Sequence, residues 1–441
     1  MNLFFLSWKN ILAKPLNSFM SVLLFALSVG LITFLLLFNH QFKQGLENNL
    51  AGVDLVIGAK GSPLQLILNS MYHIDAPTGN IPISGASPFL NPAHPLLAAS
   101  IPLSLGDSYG AFRIVGTPPS IFPFYNAESI EGDVYKNDFE VVLGYTVAKK
   151  LHLHLGDEFN STHGLEDNPD LRHDHSNPFV VVGILQRSAT VLDQLILTTP
   201  QTVWKVHEHD STSTAEVHAG HDHSAEEHHR VSGIIKVIDS AEVKTLSDSI
   251  IQQLRGNPEK DITSLLLRFK SRTNIQSLNL LRNINQNTDL MAASPALEIN
   301  RLYSMMGSGA DALSYIAMLI ACVAAISIFI SLYTTLRERR YEMAIMRVNG
   351  AAPIDIFQMI VGEGLWISFM GIVIGLVFGH GGIHLAGKIL EQSYKYQFSG
   401  AIWLPEEMYI IVGGIIIGLI AAIIPAIQGA RTELHSTLAE G

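Results

Sequence analysis

The sequence predicts a membrane protein with four transmembrane helices and a mixed α/β extracytoplasmic domain inserted between helices 1 and 2. Four apolar stretches carry that reading, at 19–38, 312–336, 360–385 and 409–427, with a gap of roughly 270 residues after the first. Each can cross a hydrocarbon core about 30 Å thick at about 1.5 Å of helix rise per residue. An unpaired backbone amide in lipid costs several kcal/mol, so such stretches take helical form. The composition agrees. A hydrophobic content of 48% and a mean hydropathy of +0.28 are too apolar for an ordinary soluble enzyme, while 15% charged residues are too many for a bare helix bundle.

In chain order, residues 1–16 hold Trp8, Lys9, Lys14 and Pro15 and read as an interfacial segment or as simple flanking anchors. Helix 1 is expected at 17–38. Its apolar run exceeds a signal-peptide core and no A-x-A site follows, so it reads as a retained helix. The domain occupies 39–310. Runs rich in β-branched residues predict strands at 53–57, 112–115, 140–143, 179–185, 194–198, 234–238 and 264–269. Apolar periodicity predicts helices at 63–71, 146–151, 241–254 and 273–287. Residues 233–290 form a strand–helix–strand–helix unit, with Asp239 as a cap and Gly256-Asn257-Pro258 as a stop. The Pro-, Gly- and Ser-dense stretch 72–104 predicts an irregular loop, and 207–229 a flexible His-rich insert too polar to form a core.

Residues 291–311 are expected to run helically into helix 2, at 311–336. A coupling segment at 337–355, helix 3 at 356–386, an outer loop at 387–407, helix 4 at 408–428 and a tail at 429–441 complete the chain. Basic residues orient it. Lys9 and Lys14 precede helix 1, Arg337, Arg339, Arg340 and Arg347 fill the loop after helix 2, and Arg431 follows helix 4. The 387–407 loop has Lys388 and Lys395 against Glu391, Glu406 and Glu407. The positive-inside rule puts both termini and the arginine loop in the cytoplasm, and the domain outside.

Most of the formal charge of −11 falls on residues 39–310, with 19 Lys and Arg against 29 Asp and Glu. An acidic domain argues against nucleic acid and anionic lipid surfaces as partners. The single cysteine, Cys322, excludes an intrachain disulfide. The sequence has no G-x-x-x-x-G-K-[ST], G-x-S-x-G, H-E-x-x-H or C-x-x-C. It therefore has no phosphate cradle of its own and no signature of a catalytic site.

Four constellations carry meaning. In the coupling segment, helical spacing brings Glu338, Arg339 and Glu342 near one another. Met343, Ile345 and Met346 offer apolar contacts, Gly350 suits a helix end and Pro353 the first turn of the next helix. Arg340, Glu342, Met343, Met346, Arg347 and Gly350 are the expected docking residues for a cytoplasmic protein. Gly371, Gly375 and Gly379 on helix 3, and Gly414 and Gly418 on helix 4, recur every fourth residue and allow close helix packing, within the chain or between copies. His207, His209, His218, His221, His223, His228 and His229 lie among carboxylates, with His163, His173 and His175 upstream, a donor set that suits Zn²⁺ or another divalent transition metal. Their loose spacing suits several weak sites, and a solvated insert is the plain alternative. His380 and His384 stack at the outer end of helix 3, as a metal or proton site or as interfacial residues. Glu363, near the cytoplasmic end, is expected to pair with an arginine or a helix end.

The run RYEMAIMRVNGA at 340–351, Glu363, and IPAIQGAR at 424–431 resemble the permeases of the MacB, LolC/LolE and FtsX superfamily of ABC systems. The likeness covers the last 110 or so residues and the helix order of the whole chain. DLVIGAKGSPLQ at 54–65 and HIDAPTGN at 73–80 resemble a separate, His-rich subgroup rather than the macrolide or lipoprotein members. The resemblance implies an ABC ATPase subunit docked on 340–351, a homodimer, ATP bound through that partner, and residence in a bacterial inner membrane. The expected role is to couple hydrolysis by the partner to motion of the outer domain, for export, extraction or activation of a periplasmic or outer-membrane partner, possible metal linkage included. This chain is itself no enzyme on that reading. The alternative is a membrane-anchored metal-binding sensor or scaffold without ATP coupling.

Overall fold

The computed structural model describes residues 7, 9, 15–74, 76–161, 178–210, 234–394 and 398–431 of the 441. The chain divides into two compact units, Gln44–Tyr303 and the pair of segments Met1–Lys43 and Ser304–Gly441.

The strands of Gln44–Tyr303 are β1 (Leu55–Ala59), β2 (Ile81–Pro82), β3 (Leu97–Tyr109), β4 (Phe112–Gly116), β5 (Ser129–Gly132), β6 (Glu140–Leu143) and β7 (Glu158–Phe159). They continue with β8 (Phe179–Leu185), β9 (Leu195–Thr198), β10 (Ile235–Val237), β11 (Asp261–Ile262), β12 (Ser264–Phe269) and β13 (Leu290–Ala293). Among the described residues, eleven form one mixed sheet in the order β10-β5-β8-β6-β9-β4-β3-β12-β1-β13, with β7 on β8, while β2 and β11 pair separately. The β4–β9 and β6–β8 pairs are parallel.

The expected strands and helices of this unit form within two residues of their predicted bounds. Asp239 caps the helix Ser240–Arg255 by accepting from the Ala241 N–H at 2.8 Å. The loop expected over 72–104 is corrected, because it contains the start of the longest strand, β3. β3 changes neighbour along its length. Residues up to Leu103 pair with β12, and β4 takes over from Ser104. Pro102 therefore has a strand on one side only, where its missing N–H is tolerated. Gly110 and Ala111, with φ of 54° and 65°, turn β3 into β4 with the twist a tight hairpin needs.

Two cores flank this exchange. Leu55, Ile57, Leu265 and Leu267 pack with Ile250 and Leu254 of the helix Ser240–Arg255 and with Ile284 of the helix Ile275–Asn287. Phe112, Ile114, Val141, Val181 and Ile196 pack with Val147 of the helix Tyr145–Leu151.

Among the described residues, four helices have stretches long and apolar enough to cross a membrane: Ser18–Leu50, Asp311–Glu338, Pro353–Ile389 and Glu407–Ala430. They belong to helices Pro15–Leu50, Pro295–Glu338, Pro353–Tyr394 and Glu407–Ala430. The first and third outrun the expected 17–38 and 356–386, because helix-forming residues continue past the apolar runs. The helix expected over 291–311 begins at Pro295 instead, since Leu290–Ala293 is claimed by β1 as a sheet edge. In the membrane unit, Val22, Phe25 and Val29 of the first helix meet Ala324 and Ile328 of the second, Ile367 and Ile372 of the third, and Ala421 and Ala422 of the fourth. The Ser21 and Ser327 hydroxyls hydrogen-bond at 3.1 Å.

Candidate functional site

The second membrane helix stops at Glu338, and a short helix, Arg340–Val348, follows. Arg339 makes the break, with φ −106° and ψ 16°. Its guanidinium spans two acids. Nε donates to Glu342 Oε2 at 2.7 Å, and Nη1 lies 3.6 Å from Oε1 of Glu363, which is buried on the third helix. The expected pairing of Glu363 with an arginine is present. Downstream, Gly350 turns the chain at φ 100°, and Asp355 accepts from the Ala352 N–H at 2.8 Å to start the helix at Pro353.

The short helix is amphipathic. Met343 and Ala344 point inward, and Met343, 3% exposed, packs with Leu336, Ile356, Met359 and Ile360. Burying one such side chain stabilises by about 1.5–3 kcal/mol. Met343, expected on the docking face, is thus an anchor beneath it. The outer stripe is Tyr341, Ile345 and Val348, at 50%, 40% and 65% exposure. Of the other expected docking residues, Arg340, Glu342 and Gly350 are exposed and Met346 and Arg347 half-buried. Tyr341 and Val348 were missed, although their spacing from Ile345 was the available signal.

The glycines of the third helix face the first. A Cβ on Gly371 would lie 2.6 Å from Phe25, one on Gly375 2.6 Å from Val29, and one on Gly379 2.7 Å from Thr33. Gly414 lies against Ile372, and Gly418 against Ser368. Of the two packings the sequence allowed, these five glycines serve the one within the chain.

The end of the third helix and the start of the fourth, beside residues 398–407, hold a second polar pair. His380 Nε2 lies 3.0 Å from Glu407 Oε2, and His380 Nδ1 lies 2.8 Å from the Gly400 carbonyl. Glu407 Oε1 accepts from the Leu404 N–H at 2.9 Å, and Trp403 stacks on the imidazole. His384, four residues on, is exposed, whereas both ring nitrogens of His380 are taken by Gly400 and Glu407. Glu407 is the partner that sequence reasoning missed, having counted it as a loop charge. Gln41 and Ser399 exchange two hydrogen bonds, Nε2 to the carbonyl at 2.9 Å and backbone N–H to Oε1 at 2.7 Å, which ties the same loop to the first helix.

His207 and His209 lie on the backbone of the helix Pro200–Asp210, so the expected insert begins helically. The side chains of both, and His163, His173, His175, His218, His221, His223, His228 and His229 entirely, lie outside the described residues. Among the described residues no three His, Cys, Asp or Glu side chains converge as metal ligands.

Residues 18–253 match the MacB-like periplasmic core domain family, and residues 314–434 match the FtsX-like permease C-terminal family. The short helix and the Arg339–Glu363 contact fall inside the second match. The chain is 23% identical over 345 residues to the ABC transporter permease YtrF of Bacillus subtilis, covering 71% of each chain. It is 28% identical over 137 residues to an uncharacterized ABC transporter permease, MJ1507, of Methanocaldococcus jannaschii, covering 29% of this chain and 33% of that one.

Proposed function

The chain belongs to the MacB-like and FtsX-like family of ABC transporter permeases, and from that premise we propose that it transmits the work of a separate ATPase to its extracytoplasmic domain. The family implies the ATPase partner, and the absent phosphate-binding motif is the chemical reason this chain needs one. The helix Arg340–Val348 is the proposed dock. The observation that carries this is its two-faced build. Met343 and Ala344 hold it down, while Tyr341, Ile345 and Val348 are left outward beside Arg340 and Glu342. An exposed helix with an apolar stripe suits a hydrophobic groove on a partner.

Force on the short helix would reach the second helix across Arg339 and the third through Glu363. Two copies working with two ATPases, cytoplasmic termini in a bacterial inner membrane, and export, extraction or partner activation outside complete the proposal. Metal linkage is a further element of it and rests on the histidine run at 207–229 alone. Equal Zn²⁺ uptake with and without those residues would remove that element.

Purification of the full-length protein from its native membranes tests the main reading. It should bring down a Walker-motif ATPase, and Ile345→Asp should lose it while the protein still inserts and folds. Recovery of the wild-type complex without an ATPase overturns the reading.

A further inference from the structure

The boundary between Lys43 and Gln44 falls inside the first helix, so its last turns, 44–50, belong to the same compact unit as the sheet. Three hydrogen bonds hold that end. Tyr72, buried at the end of the helix Pro63–Tyr72, donates its hydroxyl to the Leu46 carbonyl at 3.1 Å. Asn49, 9% exposed, accepts on Oδ1 from the Val191 N–H at 2.7 Å. Arg268 donates through Nη2 to the Ala51 carbonyl just past the helix.

These bonds reach both halves of the domain. Arg268 lies on β12, on the side of the first core, and Tyr72 ends the helix that follows β1. Val191 opens the turn Val191–Gln194 into β9, on the side of the second core. Arg268 also crosses to the second side. Its Nη2 donates to the Phe124 carbonyl, between β4 and β5, at 3.0 Å, and its guanidinium carbon stands 4.2 Å from the Phe124 ring centroid. From the helix into β1 the chain turns through Ala51 and Gly52, at φ 44° and 73°. A left-handed alanine persists only where its surroundings hold it. Arg268 grips its carbonyl, and Arg272 Nε joins Asp54 Oδ1 at 2.6 Å three residues on.

We propose that Asn49 and Arg268 are positioning residues that deliver movement of the first helix to both halves of the domain at once. This rests on the reading above, in which work enters at the helix Arg340–Val348. From the third helix it passes to the first across Gly371, Gly375 and Gly379, and it leaves through this joint.

The test is double electron–electron resonance on the full-length protein in nanodiscs, in a Cys322→Ser background. Spin labels go at the exposed positions 48 and 158, or 158 and 282. The first pair links the helix end to the second half, and the second pair spans the two halves. In the wild type the 48–158 distance should be narrow. Asn49→Leu and Arg268→Met should lose that narrow distance, and Asn49→Asp, which keeps the acceptor, should retain it. Unaltered hydrogen exchange of β1 and β12 checks the fold. In the complex with the co-purified ATPase, ATP and vanadate should shift the 158–282 distance in the wild type and in Asn49→Asp but not in Asn49→Leu. A wild-type 48–158 distance in both Asn49→Leu and Arg268→Met overturns the joint, as does an ATP-driven shift that survives in Asn49→Leu. A wild type whose 158–282 distance ignores ATP removes the work-transmitting reading, and this proposal with it.

Discussion

His380 on the third membrane helix and Glu407 at the start of the fourth form a pair 3.0 Å apart, with the Glu407 side chain fully buried. Both carboxylate oxygens are used, one by the imidazole and one by the Leu404 N–H. Removing one partner of a buried pair strands the other, at a cost of about 3–5 kcal/mol. His380→Ala should therefore lower the unfolding midpoint of the protein in nanodiscs sharply. Glu407→Gln, which still accepts from Leu404, should cost less. Equal midpoints for wild type and His380→Ala would show the pair to be dispensable.

Gly375 of the third helix sits against the backbone of the first. A Cβ there would lie 2.6 Å from the Val29 Cβ and 2.8 Å from the Ala26 carbonyl oxygen. Backbone cannot move aside as a side-chain tip can, so Gly375→Ala should destabilise by about 1–3 kcal/mol. Gly413, whose added Cβ would meet nothing within 4 Å, is the control, and Gly413→Ala should stay within about 0.5 kcal/mol of wild type. Thermal unfolding in lipid compares the two.

Glu140 gives the outer domain an acid-sensitive turn. Burial alone would push its carboxyl up, but the backbone N–H groups of Asn137 and Lys136, the Asn137 amide and the Lys136 charge outweigh that and hold it below the ordinary value. A lowered folded value means stability that is full above the unfolded carboxyl value of about 4.3 and lost as pH falls through the folded one. The protection factors of the 136–140 turn, corrected for the intrinsic slowing of amide exchange in acid, should fall below about pH 4 in the wild type. Glu140→Gln should exchange faster at neutral pH and respond less to acid. A wild-type turn indifferent to pH from 6 to 3 would contradict the assignment.

The proposed dimer can be read from one thiol. Cys322 is exposed on the second helix, on the side that also carries Leu319 and Ile326, 64% and 57% exposed. Copper-phenanthroline oxidation in native membranes should give a disulfide-linked dimer on non-reducing gels, absent in Cys322→Ser. A chain that stays monomeric under oxidation argues against contact along this face.

Much of the domain was legible because strands such as Phe179–Leu185 alternate buried and half-buried positions, and helices such as Ser240–Arg255 carry their own caps. β3 was not legible. Pro102 and its serines look like loop until the partner strand β12 is in place, and pairing is a long-range fact. The four membrane helices were plain from apolar length, whereas the partner of their glycines was not, since small residues specify close approach without saying to what. At the helix Arg340–Val348, residue types marked the segment as a short amphipathic helix. Periodicity alone could not say that Met343 faces in and Tyr341 out, because that depends on where Ile356 and Ile360 lie.

The helix Arg340–Val348 is the proposed place where energy from ATP enters. A photocross-linking residue at position 345, with a second at the membrane-exposed position 412 as control, tests it in native membranes. Cross-linking from 345 and not from 412 to a Walker-motif ATPase is the expected result. Position 345 reacting with no ATPase, or the purified chain hydrolysing ATP by itself, would contradict it.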